Sequence, residues 1–184
     1  MQVSDEFRDG LIEAIPSLRA FAFSLIGRPD RADDLVQETL TKAWAHHHSF
    51  TPGTKLRAWL YTILRNEFYS QMRKKGREVE DVDGAYSRNL AVHPEQQGHV
   101  DMGDMNRALN TLPADQREAL ILVAASGFSY EEAAEICEVA VGTIKSRVNR
   151  ARKRLAEVMG VEGEAEYGPD ATAEAAIAHT ALHK

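Results

Sequence analysis

The sequence contains one cysteine, Cys137, in 184 residues. A single cysteine cannot form an internal disulfide, and without a CxxC pair there is no zinc knuckle. Cys137 lies on the apolar side of a short predicted helix, which favours a buried, unreactive side chain. This cysteine content fits a reducing compartment such as the cytoplasm.

Long apolar runs are also missing. None approaches the roughly 20 residues that a helix needs to span a bilayer. The first ten residues are too polar and acidic for a secretory signal peptide. We therefore expect no membrane segment and a cytoplasmic location.

Strand patterns and the usual catalytic motifs are absent as well. No segment alternates polar and apolar residues, so an all-α fold is predicted. His46, His47 and His48 are consecutive in a loop marked by Pro52-Gly53, which is not the spaced arrangement of a metal site. An all-α enzyme using these histidines would lack a second catalytic element. We predict no catalytic residues, no metal and no cofactor.

Charge is present but unevenly placed. The net charge is −6, which argues against a protein that coats nucleic acid indiscriminately. Between Arg57 and Arg77, however, six cations face one acid, and between Val141 and Leu155 six cations face none. Two basic islands in an acidic chain suggest two separate DNA contacts.

The second basic island follows a capped short helix. Ser129 and Glu132 have the spacing of a capping box, and the helix that they begin extends through Cys137. After a turn at 138–140, one narrow apolar stripe runs along the basic helix: Val141, Ile144, Val148, Ala151 and Leu155. This pattern is typical of a helix-turn-helix whose second helix enters a major groove. The alternative is a solvated face on an ordinary surface helix.

Two helices are predicted near the start of the chain, one to about Ala14 and one from Pro16, because proline is not tolerated in the middle of a helix. Arg31–Ala45 is the most regular amphipathic helix, with its apolar face formed by Ala32, Leu35, Val36, Thr39, Leu40, Ala43 and Trp44. Its polar face is a solvated surface or a docking surface, and the pattern alone does not decide between them.

The first basic island lies on a further amphipathic helix, Leu56–Lys75. Its predicted buried side carries Leu56, Trp59, Leu60, Ile63, Leu64 and Phe68. Its other side alternates rings and cations at steps of four, namely Tyr61, Arg65, Tyr69 and Arg73, with Thr62 and Asn66 beside them. Single-stranded DNA is typically bound by aromatic rings that stack on its bases and by neighbouring cations that contact its phosphates, so this side of the helix suits it. Amphipathic tyrosines at a helix rim are the alternative.

These patterns predict two small helical domains joined by a flexible linker. The domains span residues 1–76 and 103–160, and the linker spans 77–102, where periodicity is lost. Short helices are expected at Asp104–Leu112 and Ala114–Ala125. Residues 161–184 are acidic and then alanine-rich, which predicts a mobile tail.

Three segments in this order resemble a known family. DRADDLVQETLTKAWAHHHSF, LRAWLYTILRNEFYSQMRK and LPADQREALILVAASGFSYEEAAEICEVAVGTIKSRVNRARKRL are similar to regions 2 and 4 of extracytoplasmic-function (ECF) sigma factors of RNA polymerase. The resemblance covers about residues 7–159. LRAFAFSL and FTPGTKLRAWLYTILRNEFYS resemble the EcfG-type general stress response sigma factors of alphaproteobacteria.

The resemblance implies a role for each helix of the first domain. The outer face of the Arg31–Ala45 helix would bind the β′ clamp helices of core polymerase through Asp34, Gln37, Glu38 and Thr41. The His46–Lys55 loop and the helix after it would capture a flipped base of the −10 element, which recovers part of the cost of unstacking. The implied −10 contacts are Tyr61, Arg65, Asn66, Tyr69 and Arg73.

For the second domain, the resemblance implies binding to the polymerase β flap and to a −35 element of the GGAAC type. The implied contacts are Thr143, Lys145, Ser146, Arg147, Asn149, Arg150 and Arg154. Arginine suits bidentate recognition of guanine, so Arg150 is the main candidate for base readout. The family has an aromatic residue in this helix where this sequence has Asn149.

The implied partners are therefore core RNA polymerase, promoter DNA and a NepR-like anti-sigma factor. Two alternatives remain at this point: a sigma-like decoy that sequesters an anti-sigma factor, and a stand-alone helix-turn-helix regulator. A decoy of the known kind carries a receiver domain and needs no basic recognition helix. A stand-alone regulator would not explain the clamp-binding motif.

Overall fold

The computed structural model describes residues 4–80 and 100–160, with side chains over residues 4–74 and 105–160. Over these ranges the chain is helical and forms no strand, which confirms the all-α prediction. The helices are α1 (Asp5–Ile26), α2 (Pro29–Ala45), α3 (Leu56–Glu80), α4 (Val100–Asn110), α5 (Ala114–Leu120), α6 (Tyr130–Cys137) and α7 (Val141–Met159). None of them is long and apolar enough to cross a membrane.

Most of the predicted linker and all of the predicted tail lie outside the residues that the structure describes. Both described ends of the 77–102 segment are helical, since α3 continues to Glu80 and α4 begins at Val100. The remainder of that segment, 81–99, and the predicted tail, 161–184, lie outside the described residues.

Helix α1 corrects the prediction of a break at Pro16, because it is a single helix of 22 residues that contains this proline. A proline ring lacks the N–H that would bond to the carbonyl four residues earlier, here that of Ile12. Pro16 and Ile12 both lie on the exposed side of α1. Water can therefore satisfy that carbonyl, while burial of the opposite side, including Leu18 and Phe21, holds the helix.

Helix α2 has the predicted amphipathic arrangement with one exception. Its buried residues are Ala32, Leu35, Val36, Thr39 and Ala43, and Leu40 is half-buried. Trp44 was expected on the buried face, but 47% of it is exposed. The proline at the first helical position has the fixed backbone angle that a helix start requires.

The C-terminal helices contain the predicted helix-turn-helix. The Ser129 hydroxyl accepts from the Glu132 N–H and the Glu132 carboxylate accepts from the Ser129 N–H, which confirms the capping box. Glu138 ends α6 in the left-handed region, at φ 55°, and thereby turns the chain into α7. Ile144, Val148 and Ala151 of α7 are buried.

The predicted Ala114–Ala125 helix changes form halfway. α5 ends at Leu120 and a π-helical turn, Ile121–Ala125, follows, with the Ser126 N–H bonded to the Ile121 carbonyl at 2.8 Å. Gly127 then takes a φ of 71°, which an L side chain rarely adopts. The turn and the glycine bring Phe128 back towards α3.

The N-terminal and C-terminal helices share one hydrophobic core. It includes Leu18, Leu60 and Leu64 from α1 and α3, and Leu122, Phe128 and Ile136 from the second half of the chain. Helix α3 lies between the two groups, with contacts to α1 and α2 and also to α6. Its two sides therefore have different neighbours.

Candidate nucleic-acid interface

One side of α3 borders an open cleft of about 440 Å³. The end of α2 and the short 3-10 helix at His47–Ser49 form its opposite wall. The lining residues are Lys42, His46, Ser49, Trp59, Ile63, Asn66, Glu67, Ser70 and Arg73. Two of the predicted −10 residues, Asn66 and Arg73, thus share this cleft, and both are exposed.

An ion pair joins the two walls of the cleft. The Lys42 ammonium of α2 contacts the Glu67 carboxylate of α3, and the Gln71 amide donates to the other oxygen of Glu67 at 2.9 Å. Burial alone would raise the pKa of Glu67, but the hydrogen bonds from Lys42 and Gln71 outweigh it and lower that pKa. The hydrogen bond to Glu67 raises the pKa of Lys42. Both groups are therefore held in their charged forms.

The other side of α3 carries Tyr61, which the sequence pattern placed on an exposed face. That expectation of exposure is wrong, because Tyr61 is fully buried. Its hydroxyl donates to the Ser17 carbonyl at 3.1 Å, and its ring lies 4.8 Å from the Phe21 ring and 4.8 Å from the Phe128 ring. Tyr61 thus packs between α1 and the chain that precedes α6.

Arg65 and Tyr69 continue this side of α3 and meet Glu118 of α5. The Arg65 Nε lies 2.9 Å from Glu118 Oε1, off the direction of a well-aligned hydrogen bond, and the Tyr69 hydroxyl donates to Glu118 Oε2 at 3.2 Å. Burial is the main cause that raises the pKa of Glu118, and the Arg65 charge opposes it. Burial and the nearby Glu118 raise the pKa of Tyr69 to about 12.

Further contacts join the two halves of the chain, and the sequence did not predict them. Arg57 donates to the Ser126 carbonyl at 2.6 Å, with its guanidinium 4.8 Å from the centre of the Phe128 ring. Lys55 pairs with Glu132, and Arg117 donates to the Leu25 carbonyl at 3.3 Å. One feature of the sequence could have indicated such a contact, namely that Glu118 falls at helical spacing within the apolar stripe that includes Ala119 and Leu122. A carboxylate in such a stripe needs a buried partner.

The basic helix α7 divides the predicted −35 residues into two groups. Four of them are exposed: Lys145, Asn149, Arg150 and Arg154. Thr143, Ser146 and Arg147 are half-buried, and the Ser146 hydroxyl donates to the Thr143 carbonyl at 3.3 Å. Arg147 pairs with Asp115 of α5 at 3.1 Å, so this guanidinium lies against the body of the protein.

The four predicted polymerase-binding residues of α2 lie on one open face. Asp34, Gln37, Glu38 and Thr41 are all exposed. Glu38 lies 3.7 Å from the Lys42 ammonium, and Lys42 also pairs with Glu67 in the cleft. The exposed face of α2 therefore borders the cleft at Lys42. Of the described parts of the chain, none brings three or more His, Cys, Asp or Glu side chains into a group that could hold a metal ion.

Two family models match the chain. The model for Sigma-70 region 2 covers residues 11–78, and the model for Sigma-70 region 4 covers residues 103–155. The first match contains the cleft and the α2 face, and the second contains α5, α6 and most of α7. Together they account for both groups of helices.

Whole-chain relatives support these matches. The ECF RNA polymerase sigma factor EcfG of Rhodopseudomonas palustris is 58% identical over 96% of this chain and 98% of its own length. The sigma factor RpoE of Bartonella quintana, solved in complex with the anti-sigma factor NepR, is 59% identical with a TM-score of 0.77, covering 87% of this chain and all of that one.

The anti-anti-sigma factor PhyR of Bartonella quintana, complexed with NepR, is a more distant match. It is 21% identical with a TM-score of 0.53, and the alignment covers 79% of this chain and 47% of PhyR. This likeness shows a shared fold alone. With both Sigma-70 regions matched and a relative 58% identical over nearly its full length, the chain belongs to the ECF sigma factors of RNA polymerase.

Proposed function

We propose that this protein directs core RNA polymerase to promoters with −35 and −10 elements, in the cytoplasm, and catalyses no reaction itself. The observation that carries this proposal is the 58% identity to an EcfG sigma factor over 96% of the chain. The same relative supports a role in the general stress response. A decoy or a stand-alone regulator would require neither the cleft nor the open face of α2.

The outer face of α2 binds the β′ clamp helices of the polymerase, and region 4 binds the β flap. Two acids, an amide and a hydroxyl (Asp34, Glu38, Gln37 and Thr41) offer polar contacts without rearrangement, because all four side chains are exposed. Docking of both regions on one polymerase tethers two weak DNA contacts. Joint binding is then much tighter than either contact alone.

The cleft beside α3 receives one base of the −10 element after it leaves the stack. Asn66 is exposed at the cleft and can hydrogen-bond to a base edge, while Trp59 offers a ring beside it. Holding an extruded base offsets part of the cost of unstacking. Arg73 lines the same cleft and supplies positive charge for the neighbouring backbone.

The exposed residues of α7 contact the −35 element in a major groove. Arg150 presents a guanidinium suited to the two acceptors of guanine, and Asn149 lies beside it. Lys145 and Arg154 hold phosphates, with Thr143, Ser146 and Arg147 at the edge of this surface. Arg147 would have to leave Asp115 to reach DNA.

An anti-sigma factor of the NepR kind controls this protein. The support is the 59% identity to a sigma factor solved in complex with NepR.

Transcription in vitro tests the main proposal. Purified protein is added to sigma-free core polymerase with a template that carries a GGAAC-type −35 element. A specific transcript is expected, and it should disappear when the −35 element is replaced. Properly folded protein that gives no specific transcript contradicts the proposed function.

A further inference from the structure

The Lys42–Glu67 pair lies in the cleft but has no part in the contacts proposed above. Glu67 is nine-tenths buried, and both its carboxylate oxygens are engaged, one by Lys42 and the other by Gln71. Each oxygen of Glu67 thus already accepts a hydrogen bond within the protein. Its most direct route to an effect on DNA is through Lys42, which is exposed.

Glu67 decides the charge balance of the cleft. The lining holds two permanent cations, Lys42 and Arg73, and one carboxylate, Glu67. Glu38 also lies near Lys42, but at 3.7 Å and on the exposed face of α2. Loss of the Glu67 charge would leave Lys42 with only this more distant, solvent-exposed carboxylate and would make the lining of the cleft more positive.

That balance matters because DNA offers the cleft two kinds of ligand. A nucleobase is neutral and differs from one position to the next, whereas a phosphate is an anion present at every position. An uncompensated ammonium attracts phosphate without regard to sequence. A paired ammonium can still donate to a base edge, but its attraction for phosphate is weaker.

We propose that Glu67 is a positioning and specificity-determining residue, which holds and neutralises Lys42 so that the cleft accepts a base in preference to phosphate. This inference rests on the proposed function of the cleft in −10 recognition. It assigns to one ion pair the choice between base-dependent and base-independent binding.

The test uses holoenzyme assembled from core polymerase and full-length protein. The probe is a single-stranded −10 oligonucleotide from a promoter at which the wild-type protein initiates, together with a series in which each position in turn is abasic. The measured quantity is the ratio of the Kd for the abasic DNA to the Kd for the intact DNA at the most sensitive position.

Four proteins are compared: wild type, Glu67→Gln, the double variant Lys42→Gln/Glu67→Gln, and Glu13→Gln. The first change removes the carboxylate charge and keeps the shape of the side chain. The double variant removes both charges. Glu13 is exposed on α1 and absent from the cleft lining, so Glu13→Gln is the control for the change in net charge.

We expect Glu67→Gln to lower the ratio by about fivefold, because abasic DNA binds more tightly and binding becomes more sensitive to salt. The double variant should return to within about twofold of the wild-type ratio, since the pair is removed as a unit. Glu13→Gln should keep the wild-type ratio. If Glu67 had only a structural role, Glu67→Gln would weaken the binding of intact and abasic DNA equally, and the ratio of the two Kd values would not change.

An unchanged ratio in Glu67→Gln contradicts the inference, and so does a double variant whose ratio is as low as that of the single variant. In either case, the proposed function is not contradicted as long as the wild-type holoenzyme binds the intact DNA more tightly than the abasic DNA. Wild-type holoenzyme that binds intact and abasic DNA equally contradicts the base-capture role of the cleft and the inference together.

Discussion

At the scale of single residues, neighbours on one helix have different surroundings. Arg150 is exposed on α7, and no ion pair of the described chain includes it. Three residues earlier, Arg147 is held by Asp115. The sequence shows two arginines in one basic helix. Only the position of α5 separates the guanidinium that is open to solvent from the one that faces the protein.

Arg150→Ala should weaken discrimination at the −35 element by about 1–3 kcal/mol, the range for loss of a bidentate guanine contact. The measurement compares initiation rates from templates with intact and substituted −35 elements. Lys153→Ala is the matched control, because it removes an exposed cation from the same helix and should weaken binding to both templates alike. Wild-type promoter choice in Arg150→Ala would remove this residue from the readout set.

Asn66→Ala should slow the formation of the open complex without weakening core binding. Its side chain lines the cleft, away from the exposed face of α2, so loss of the amide affects base capture alone. Permanganate reactivity of unpaired thymines follows opening, and fluorescence anisotropy follows core binding. If core binding falls instead, the division of roles between α2 and α3 is wrong.

At the scale of helices, local patterns predicted most of the secondary structure. The capping box, the helix-turn-helix and the polar face of α2 are all as expected, because each depends on residues within a few positions of one another. Pro16 was misjudged because the pattern does not show which side of α1 faces solvent. That side tolerates a carbonyl without an internal partner.

The misplacement of Tyr61 has a different cause. Periodicity correctly put Tyr61, Arg65 and Tyr69 on a side of α3 distinct from its main apolar face. The residues that cover this side, Glu118 and Phe128, come much later in the chain. A tyrosine suits a rim or a core equally well, so its burial depended on packing that no local pattern contains.

Ser129→Ala should lower the free energy of unfolding by about 1 kcal/mol, the usual cost of losing an N-cap hydroxyl. The Glu132 N–H would lose its partner at the start of α6. Urea denaturation followed by circular dichroism measures the change. Glu131→Gln is the control, since Glu131 is exposed in the same helical turn and takes no part in the capping box. Equal stability of the two variants would contradict a stabilising role for the capping box.

At the scale of the whole molecule, region 2 and region 4 are packed through α3. Arg65 and Tyr69, two of the −10 residues predicted from the sequence, contact Glu118 of region 4 in this arrangement. Asn66 and the cleft lie on the opposite side and stay open. Arg65 and Tyr69 can reach DNA only after α3 separates from α5, whereas the cleft is accessible without that movement.

The buried carboxyl of Glu118 makes this packing depend on pH. Its pKa is raised, so the folded chain binds this proton more readily than the unfolded chain. The resulting stability is fully present below the ordinary pKa of 4.5 and is lost as pH rises through the raised value. Arg65 limits that loss at neutral pH by opposing the carboxylate charge.

Arg65→Met should therefore cost about 3 kcal/mol at neutral pH, because it removes the cation that pairs with the buried Glu118 carboxylate. The cost should shrink as pH falls towards 4.5 and Glu118 becomes protonated. Urea titrations at several pH values measure it. The double variant Arg65→Met/Glu118→Leu should lose this pH dependence. A cost that is the same at every pH would show that Arg65 acts by packing rather than by charge.

The burial of Tyr61 against Phe128 also has a consequence for protein synthesis. Region 2 leaves the ribosome first, and Phe128 follows 67 residues after Tyr61. At the usual rates of translation, that interval lasts roughly 3 to 13 s. During it the nascent chain carries Tyr61 and Arg57 without the ring that covers them in the finished protein. Early binding partners or chaperones meet an aromatic surface that the completed sigma factor no longer presents.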